Sequence, residues 1–221
     1  MNSYVFCILV IVATAAAVTT TAQDSAYRSI NPPACEDTSK KASPIIRKWV
    51  WITPSNANKI KGVNIGLVTE NLGGKPLAIN GVNLNADVLT VFFTIYAVLS
   101  IRSTSSLINM PDTISRSDIR DTVTGLSLSG GGLAGDTQMK GVSINGLTCA
   151  VIEAKGLVIT GTQNITDAFK GVEICGLRNK AIQGRGVQIG LLNICKHLKG
   201  IQLGLWNVNS KRKLPIINWS F

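Results

Sequence analysis

The chain has 221 residues, of which 45% are hydrophobic, 5% aromatic and 15% charged, and its 22 lysines and arginines against 12 acids give a net charge of +10. This apolar fraction is too high for an intrinsically disordered protein, and 21 glycines with few aromatic residues are a poor match to a helical bundle or coiled coil. The length suits one domain with an additional terminal segment.

Residues 1–22 predict a cleaved signal peptide. They have no charged side chain, contain the apolar run Tyr4 to Val18 and end in the small residues Thr20 to Ala22. The apolar run is shorter than the ~20 residues that a bilayer-spanning helix needs, which disfavours the alternative of an uncleaved anchor. The sequence therefore predicts export.

After an N-terminal segment at residues 23–59, a β-repeat domain is expected over residues 60–221. Its first copies are degenerate, at Lys61 to Leu67, at Gly81 to Leu84 and, for the first half of the unit only, at Gly125 to Ser129. An irregular insertion at residues 87–123 interrupts the domain. The insertion contains the apolar run Val88 to Ile101, which predicts a buried strand pair or a core helix.

Five consecutive repeats follow from Gly141, and they organise the rest of the chain. Each begins G-[VLI]-x-[IL], has a second glycine four or five residues later, and usually has an asparagine seven or eight residues after the first glycine. The leading glycines are spaced by 15, 15, 15 and 14 residues, and a basic residue directly precedes each of them. These glycines are Gly141, Gly156, Gly171, Gly186 and Gly200.

Alternation within a repeat predicts strands, because Val187 and Ile189 alternate with Gln188 with a period of two. We expect Val187 and Ile189 to stack inward on Ile201 and Leu203 of the next repeat, with Gln188 on the opposite, solvated face. On that basis Ile189→Asp costs several kcal/mol and Gln188→Asp well under ~1 kcal/mol. The glycines are expected at corners with positive φ, and the asparagines at turns.

Two all-β architectures can use such a unit. In a parallel β-solenoid each unit of about 15 residues is one coil stacked on the next. In an antiparallel outer-membrane β-barrel, the alternative, each unit is one strand with an apolar outer face. The clean alternation lasts only two or three positions per repeat, which favours the solenoid, whereas the alternating end Ile217 to Phe221 is typical of a barrel.

The repeats resemble a family of exported bacterial surface-repeat proteins built from G-[VIL]-Q-[IL]-G-[LF]-x-N units. The resemblance covers roughly residues 45 to 221 and is densest from Gly184 to Phe221, whereas Ser143, Val158 and Glu173 replace the usual glutamine and are aligned by spacing. It implies a Gram-negative periplasmic, outer-membrane or cell-surface location. It implies no enzymatic activity.

The motifs that could carry chemistry lack their structural context. Gly130 to Gly135 satisfies G-x-G-x-x-G, but a further β unit follows where a dinucleotide site needs a helix. His197 is expected in a solvated linking turn without a nearby acid. The sequence has no C-x-x-C motif that would indicate a metal site. No catalytic residue, cofactor or metal is therefore predicted, and Cys35, Cys149, Cys175 and Cys195 are expected to be buried small apolar residues.

The basic end of the chain is the candidate binding site. Residues 174 to 221 carry eight cations and no acid, a charge distribution that favours envelope components, anionic surface glycans or lipid phosphates as partners and, in an exported protein, not nucleic acid. The competing interpretation is that lysines only provide solubility. Trp206 and Trp219 are expected to cap the core, and the alternative is that they are sugar-stacking or interfacial rings. The candidate patch comprises Lys196, Lys199, Lys211, Arg212 and Lys213.

These observations predict a non-enzymatic exported repeat protein of the envelope or cell surface, with a structural or interaction role. The alternatives are an integral outer-membrane barrel and a binder of anionic glycan or lipid phosphate through the basic end.

Overall fold

Ten β-strands make up most of the computed structural model, which describes residues 44–68, 75–87, 90–91, 94, 114 and 116–221. A short 3-10 helix, Arg116–Asp118, precedes the fourth strand. The strands are β1 (Ile46–Thr53), β2 (Lys59–Gly66), β3 (Ala78–Asn85), β4 (Asp121–Ser129), β5 (Gly132–Asn145), β6 (Thr148–Thr160), β7 (Gln163–Cys175), β8 (Arg178–Ile189), β9 (Leu192–Asn209) and β10 (Lys213–Ser220).

The strands form one sheet in sequence order, and β1 to β9 pair in parallel with each neighbour. Each repeat is thus one coil of a β-solenoid, as predicted, and the antiparallel alternative is wrong for these nine strands. Of the ten strands in the described residues only β10 runs antiparallel, and it pairs with β9 at the edge of the sheet. Its register shifts between Leu214 and Ile216, because Pro215 between them has no N–H to donate.

A column of glycines with positive φ runs through the stack at one corner of every coil from β2 to β9. At Gly156 φ is 122°, and an added Cβ would lie 2.0 Å from the carbonyl oxygen of Gly141 in the coil before it. Backbone therefore lies directly on backbone at this corner, as the predicted corner role requires. In β1 the same register position holds Trp49, with a φ of 75°.

The alternation is present, but the predicted assignment of its faces is wrong. Gln188 is completely buried, whereas Ile189 is 36% exposed and Val187 is half-buried. The same holds one coil earlier, where Glu173 is buried and Ile174 is half-buried. The polar residue of each unit lies inside the solenoid and its aliphatic neighbours lie outside.

Hydrogen bonds between coils make this polar interior stable. Gln188 Nε2 donates to Glu173 Oε2 at 2.9 Å, Gln202 Nε2 donates to Gln188 Oε1 at 3.0 Å, and the chain of amides ends at Asn218 of β10. We call these four residues the inner amide ladder. A buried polar group costs little when each of its atoms finds a partner, and in-register stacking supplies partners for both amide atoms of Gln188 and Gln202. At the end of the ladder, Oδ1 of Asn218 has no partner among the described residues.

A second buried ladder consists of asparagines, whose side chains form hydrogen bonds with one another and with backbone carbonyl oxygens beside the turns. Asn179 Nδ2 donates to Asn193 Oδ1 at 2.7 Å and to the carbonyl oxygen of Ile189 at 2.9 Å. The predicted turn role of these residues is therefore confirmed. The members of this asparagine ladder are Asn164, Asn179, Asn193 and Asn207.

An apolar core occupies the remaining interior, and cysteines contribute to it. Cys149, Cys175 and Cys195 are buried free thiols, as expected of small apolar residues, and Cys35 lies outside the described residues. The residues of the core with the least exposure are Ala57, Ile60, Leu77, Ile79, Val123, Leu133, Met139, Cys149, Ala154, Val158, Ala181 and Cys195.

The described stack starts before residue 60, because β1 pairs with β2 along its whole length. The signal peptide at residues 1–22 lies outside the described residues, as does the predicted apolar run Val88 to Ile101 except for residues 90, 91 and 94. The expected capping role of Trp206 and Trp219 is wrong, because the two residues are 45% and 42% exposed. Pairing of β10 with β9 covers that end of the sheet instead.

Candidate binding surface

Two columns of outward-facing aliphatic side chains cross the whole stack. They flank the buried position of each unit, so each of β1 to β9 contributes one residue to each column, and none of the eighteen is buried. The first column is Val50, Val63, Val82, Leu126, Val142, Leu157, Val172, Val187 and Ile201, and the second is Ile52, Ile65, Leu84, Leu128, Ile144, Ile159, Ile174, Ile189 and Leu203.

These columns continue onto β10, where Trp219 pairs with Ile201 and Ile217 pairs with Leu203. We call the eighteen residues together with Ile217 and Trp219 the aliphatic face. Ten strands at a spacing of about 4.8 Å make this face about 43 Å long, and two columns of side chains make it about 12 Å wide, or roughly 500 Å². This is near the upper end of the apolar patches found on soluble monomers, where such patches often serve binding.

Cations form a parallel column at the adjacent corner, immediately before the glycines. In-register pairing places Lys155 beside Lys170, Lys170 beside Arg185 and Arg185 beside Lys199 in successive coils. Residues about 15 apart in sequence thereby become neighbours at about 4.8 Å in the sheet. The corner cations, as we call the seven basic residues among the nine positions of this column, are Lys48, Lys61, Lys140, Lys155, Lys170, Arg185 and Lys199.

A groove of about 410 Å³ runs along four of the corner cations, Lys155 to Lys199, and Phe169 contributes to its lining. The acid in this groove, Glu153, is paired with Lys155 at 2.9 Å and with Arg116 at 3.9 Å. Burial disfavours ionisation of Glu153, but hydrogen bonds from Lys155 and Gln138 outweigh it and hold the pKa of this carboxyl below its usual range. Its charge is therefore neutralised locally.

The structure distributes the predicted basic patch over different surfaces. Lys199 belongs to the corner cations, whereas Lys196 and Lys213 line a separate pocket of about 280 Å³. Lys211, Arg212 and Lys213 are exposed at the connection into β10, as expected. The guanidinium of Arg212 lies 4.7 Å above the ring of Trp219 and donates to the Trp219 carbonyl oxygen at 2.6 Å.

The position of His197 differs from the expectation of a linking turn. It lies within β9, pairs in register with Gln183 and lines the groove of the corner cations. The segment Gly130 to Gly135 leads into β5, which is the strand expected there. The corner cations have a clear sequence signal, the basic residue before each leading glycine, but only the parallel register shows that these residues adjoin one another.

The interior contains titratable groups that are closed to solvent. Burial raises the pKa of Glu173 to about 7, although hydrogen bonds from Gln188 and Thr166 counteract part of that effect. Burial likewise raises the pKa of Cys175 to about 12 and raises the pKa of the Cys149 and Cys195 thiols above their usual range. These thiols are therefore poor nucleophiles in the folded protein.

Among the described residues no group of three or more histidine, cysteine and acidic side chains is placed to hold a metal ion. Within the same part of the chain, no helix is both long enough and apolar enough to span a bilayer. Comparison with protein-family models, curated proteins and solved structures gives no match.

Proposed function

We propose that the chain is an exported, non-enzymatic interaction protein of a bacterial envelope, and that the aliphatic face is its docking surface. The observation that carries this proposal is the chemical uniformity of that face. All eighteen positions of the two columns on β1 to β9 are valine, leucine or isoleucine, while the buried positions between them are mostly polar. Stability and solubility alone would favour the opposite arrangement, with the aliphatic residues buried and the polar residues exposed.

The solenoid supplies a rigid frame for this surface. From β7 to β10 the two hydrogen-bonded ladders hold neighbouring coils in register from inside, and the glycine column brings the backbones of successive coils from β2 to β9 together at the corner. A preorganised surface loses little conformational freedom on docking, so more of its apolar burial contributes to affinity. The absence of charge in residues 1–22 and the family resemblance of Gly184 to Phe221 support export.

Cysteine accessibility tests whether the face is covered where the protein works. Ile189→Cys, in a Cys35→Ser background, places one reactive thiol on the aliphatic face while the three buried native thiols stay unreactive. A bulky maleimide is expected to label the purified variant and to label it at least about tenfold less in intact envelopes. The matched control is Ser117→Cys, which is exposed on the 3-10 helix and is expected to react in both settings.

Equal labelling of the Ile189→Cys protein in both settings contradicts the proposal. Protection of the same thiol in the purified protein also contradicts it, because the chain itself would then cover the face.

A further inference from the structure

We infer that the partner of the aliphatic face is an anionic lipid surface, on which the solenoid lies with its coils side by side. This inference rests on the proposed function and names the occupant of the same face. Four features of the described residues support it: the direction of the alternation, the size of the face, the charge beside it and the aromatic residues at its ends.

The alternation is inverted relative to a water-facing sheet. Gln188, Gln202 and the other members of the inner amide ladder point inside, and the aliphatic residues between them point outside. Strands show this apolar-out, polar-in pattern where one side of the sheet contacts hydrocarbon. The backbone of every strand from β2 to β9 is paired on both sides, so the part of the face between the two edge strands β1 and β10 carries no unpaired backbone N–H or C=O groups into an apolar medium.

The size of the face disfavours a second copy of the chain as its occupant. The aliphatic face provides a footprint of roughly 500 Å², whereas a stable protein interface buries about 800 Å² in total on each partner, so a dimer would have to extend onto the corner cations beside the face. Two copies meeting face to face would also bring two chains of +10 net charge together. A fluid bilayer surface needs no shape complementarity, and insertion of shallow aliphatic side chains suits a narrow, flat strip.

The charge beside the face complements anionic headgroups. The corner cations border the aliphatic face on seven of its nine parallel strands, and Lys170, Arg185 and Lys199 have no ion pair with any described acid. Lysine and arginine extend aliphatic stems along apolar surface while their charged ends reach the headgroup level. Each basic residue held near an anionic leaflet adds about 1 kcal/mol of attraction.

Indole rings lie at both ends of the stack. Trp49 on β1 is 83% exposed, and Trp219 on β10 is 42% exposed within the aliphatic face itself. Tryptophan favours the membrane interface because its ring is apolar and its N–H remains hydrated. The stacking of Arg212 on Trp219 places a cation directly beside one of these rings.

Vesicle binding tests the inference. The mature protein is expected to co-sediment with phosphatidylcholine vesicles containing phosphatidylglycerol more strongly than with pure phosphatidylcholine. Ile144→Asp combined with Leu203→Asp is expected to lower the partition coefficient at least about tenfold, since it places two charges where side chains enter lipid. The matched control, Ser117→Asp with Ser210→Asp, adds the same charge at exposed positions outside the face and is expected to bind nearly as well as the parent once the net-charge effect is corrected.

Depth is measured in parallel by quenching tryptophan fluorescence with brominated lipid. Quenching is expected in the parent and is expected to fall in Trp219→Phe. Far-ultraviolet circular dichroism verifies that all variants are folded.

Each other outcome overturns the inference. Equal binding by the double variant of Ile144 and Leu203 and by its control would mean that charge alone attracts the protein. Binding to soluble acidic polysaccharide without vesicle binding would assign the corner cations to a glycan, and a concentration-dependent dimer abolished by the same double variant would assign the face to a second copy. If vesicle binding fails but Ile189→Cys stays protected in envelopes, the proposed function survives with a protein partner.

Discussion

The side-chain amide of Gln202 donates a hydrogen bond of 3.0 Å to Oε1 of Gln188, its register partner in the preceding coil, and both side chains are completely buried. The contact stacks two equivalent repeat positions inside the solenoid. A side-chain amide has both a hydrogen-bond donor and an acceptor, so one glutamine can bond with its equivalent in the coil before it and in the coil after it.

Substitutions at Gln188 and Ile189 are expected to show the reverse of the effect that the hydrophobic pattern alone predicts. Gln188→Asp breaks the inner amide ladder and places a carboxylate beside Glu173, so it should cost several kcal/mol of the free energy of unfolding. Ile189→Asp leaves its charge in water and should cost about 1 kcal/mol or less. Thermal or urea melts compare them, and a more damaging Ile189→Asp would contradict the observed burial.

Stability is expected to depend on pH through Glu173. Its pKa is about 7 in the folded protein and near 4.5 when solvated, so the folded state holds the proton to higher pH. The favourable contribution of Glu173 to the free energy of unfolding is complete below pH ~4.5 and is lost as the pH rises through ~7. The loss between these limits is about 3 kcal/mol. Urea melts at pH 5 and pH 8 measure this loss.

Glu173→Gln should remove that pH dependence and stabilise the protein at pH 8, because an amide continues the ladder of Gln188 and Gln202 without a buried charge. Glu153→Gln is the control, because the pKa of Glu153 is lowered by its partners and the contribution of this carboxyl to stability is lost only as the pH falls. A decline from pH 5 to pH 8 that persists in Glu173→Gln would assign the effect to another group.

The glycine column is expected to tolerate no side chain. Gly156→Ala combines a φ of 122° with a Cβ placed 2.0 Å from the backbone of Gly141, and should cost at least ~2 kcal/mol. Gly130→Ala is the matched control because its Cβ would meet its nearest neighbour at 3.4 Å and because the φ of Gly130 lies outside the positive region that disfavours side chains. Equal melting temperatures for the two variants would show that the corner relaxes easily.

The corner cations are expected to contribute more to anionic-vesicle binding than the end of the chain. Replacing Lys170, Arg185 and Lys199 with glutamine removes three charges beside the aliphatic face. Replacing Lys211, Arg212 and Lys213 removes three at the connection to β10. The first triple variant should weaken vesicle binding at least about tenfold at low salt, and the second less.

Added salt should reduce that difference, because exposed charges are screened over about 10 Å at 0.1 M. Equal losses from the two triple variants would mean that net charge, and not the position of the column, governs binding.

Local features of the sequence were sufficient to predict the strands, the 15-residue coil and the glycine corners. Alternation over three residues such as Val187 to Ile189 specifies a strand, and glycine at a fixed period specifies a repeated backbone requirement. Even the unit containing Glu173 aligns correctly by spacing, and its register with Gln188 confirms that alignment. Each of these properties depends on a residue and its immediate neighbours.

Which face of the strand lies inside could be decided only by the packed stack. A period of two is satisfied equally by either face, and the usual preference for apolar interiors favours Ile189 over Gln188. That preference is reversed because Glu173, Gln188 and Gln202 satisfy one another across coils, a compensation that exists only once the register is set. The corner cations have the same origin, since Lys170 and Arg185 are fifteen residues apart in the chain and adjacent in the sheet.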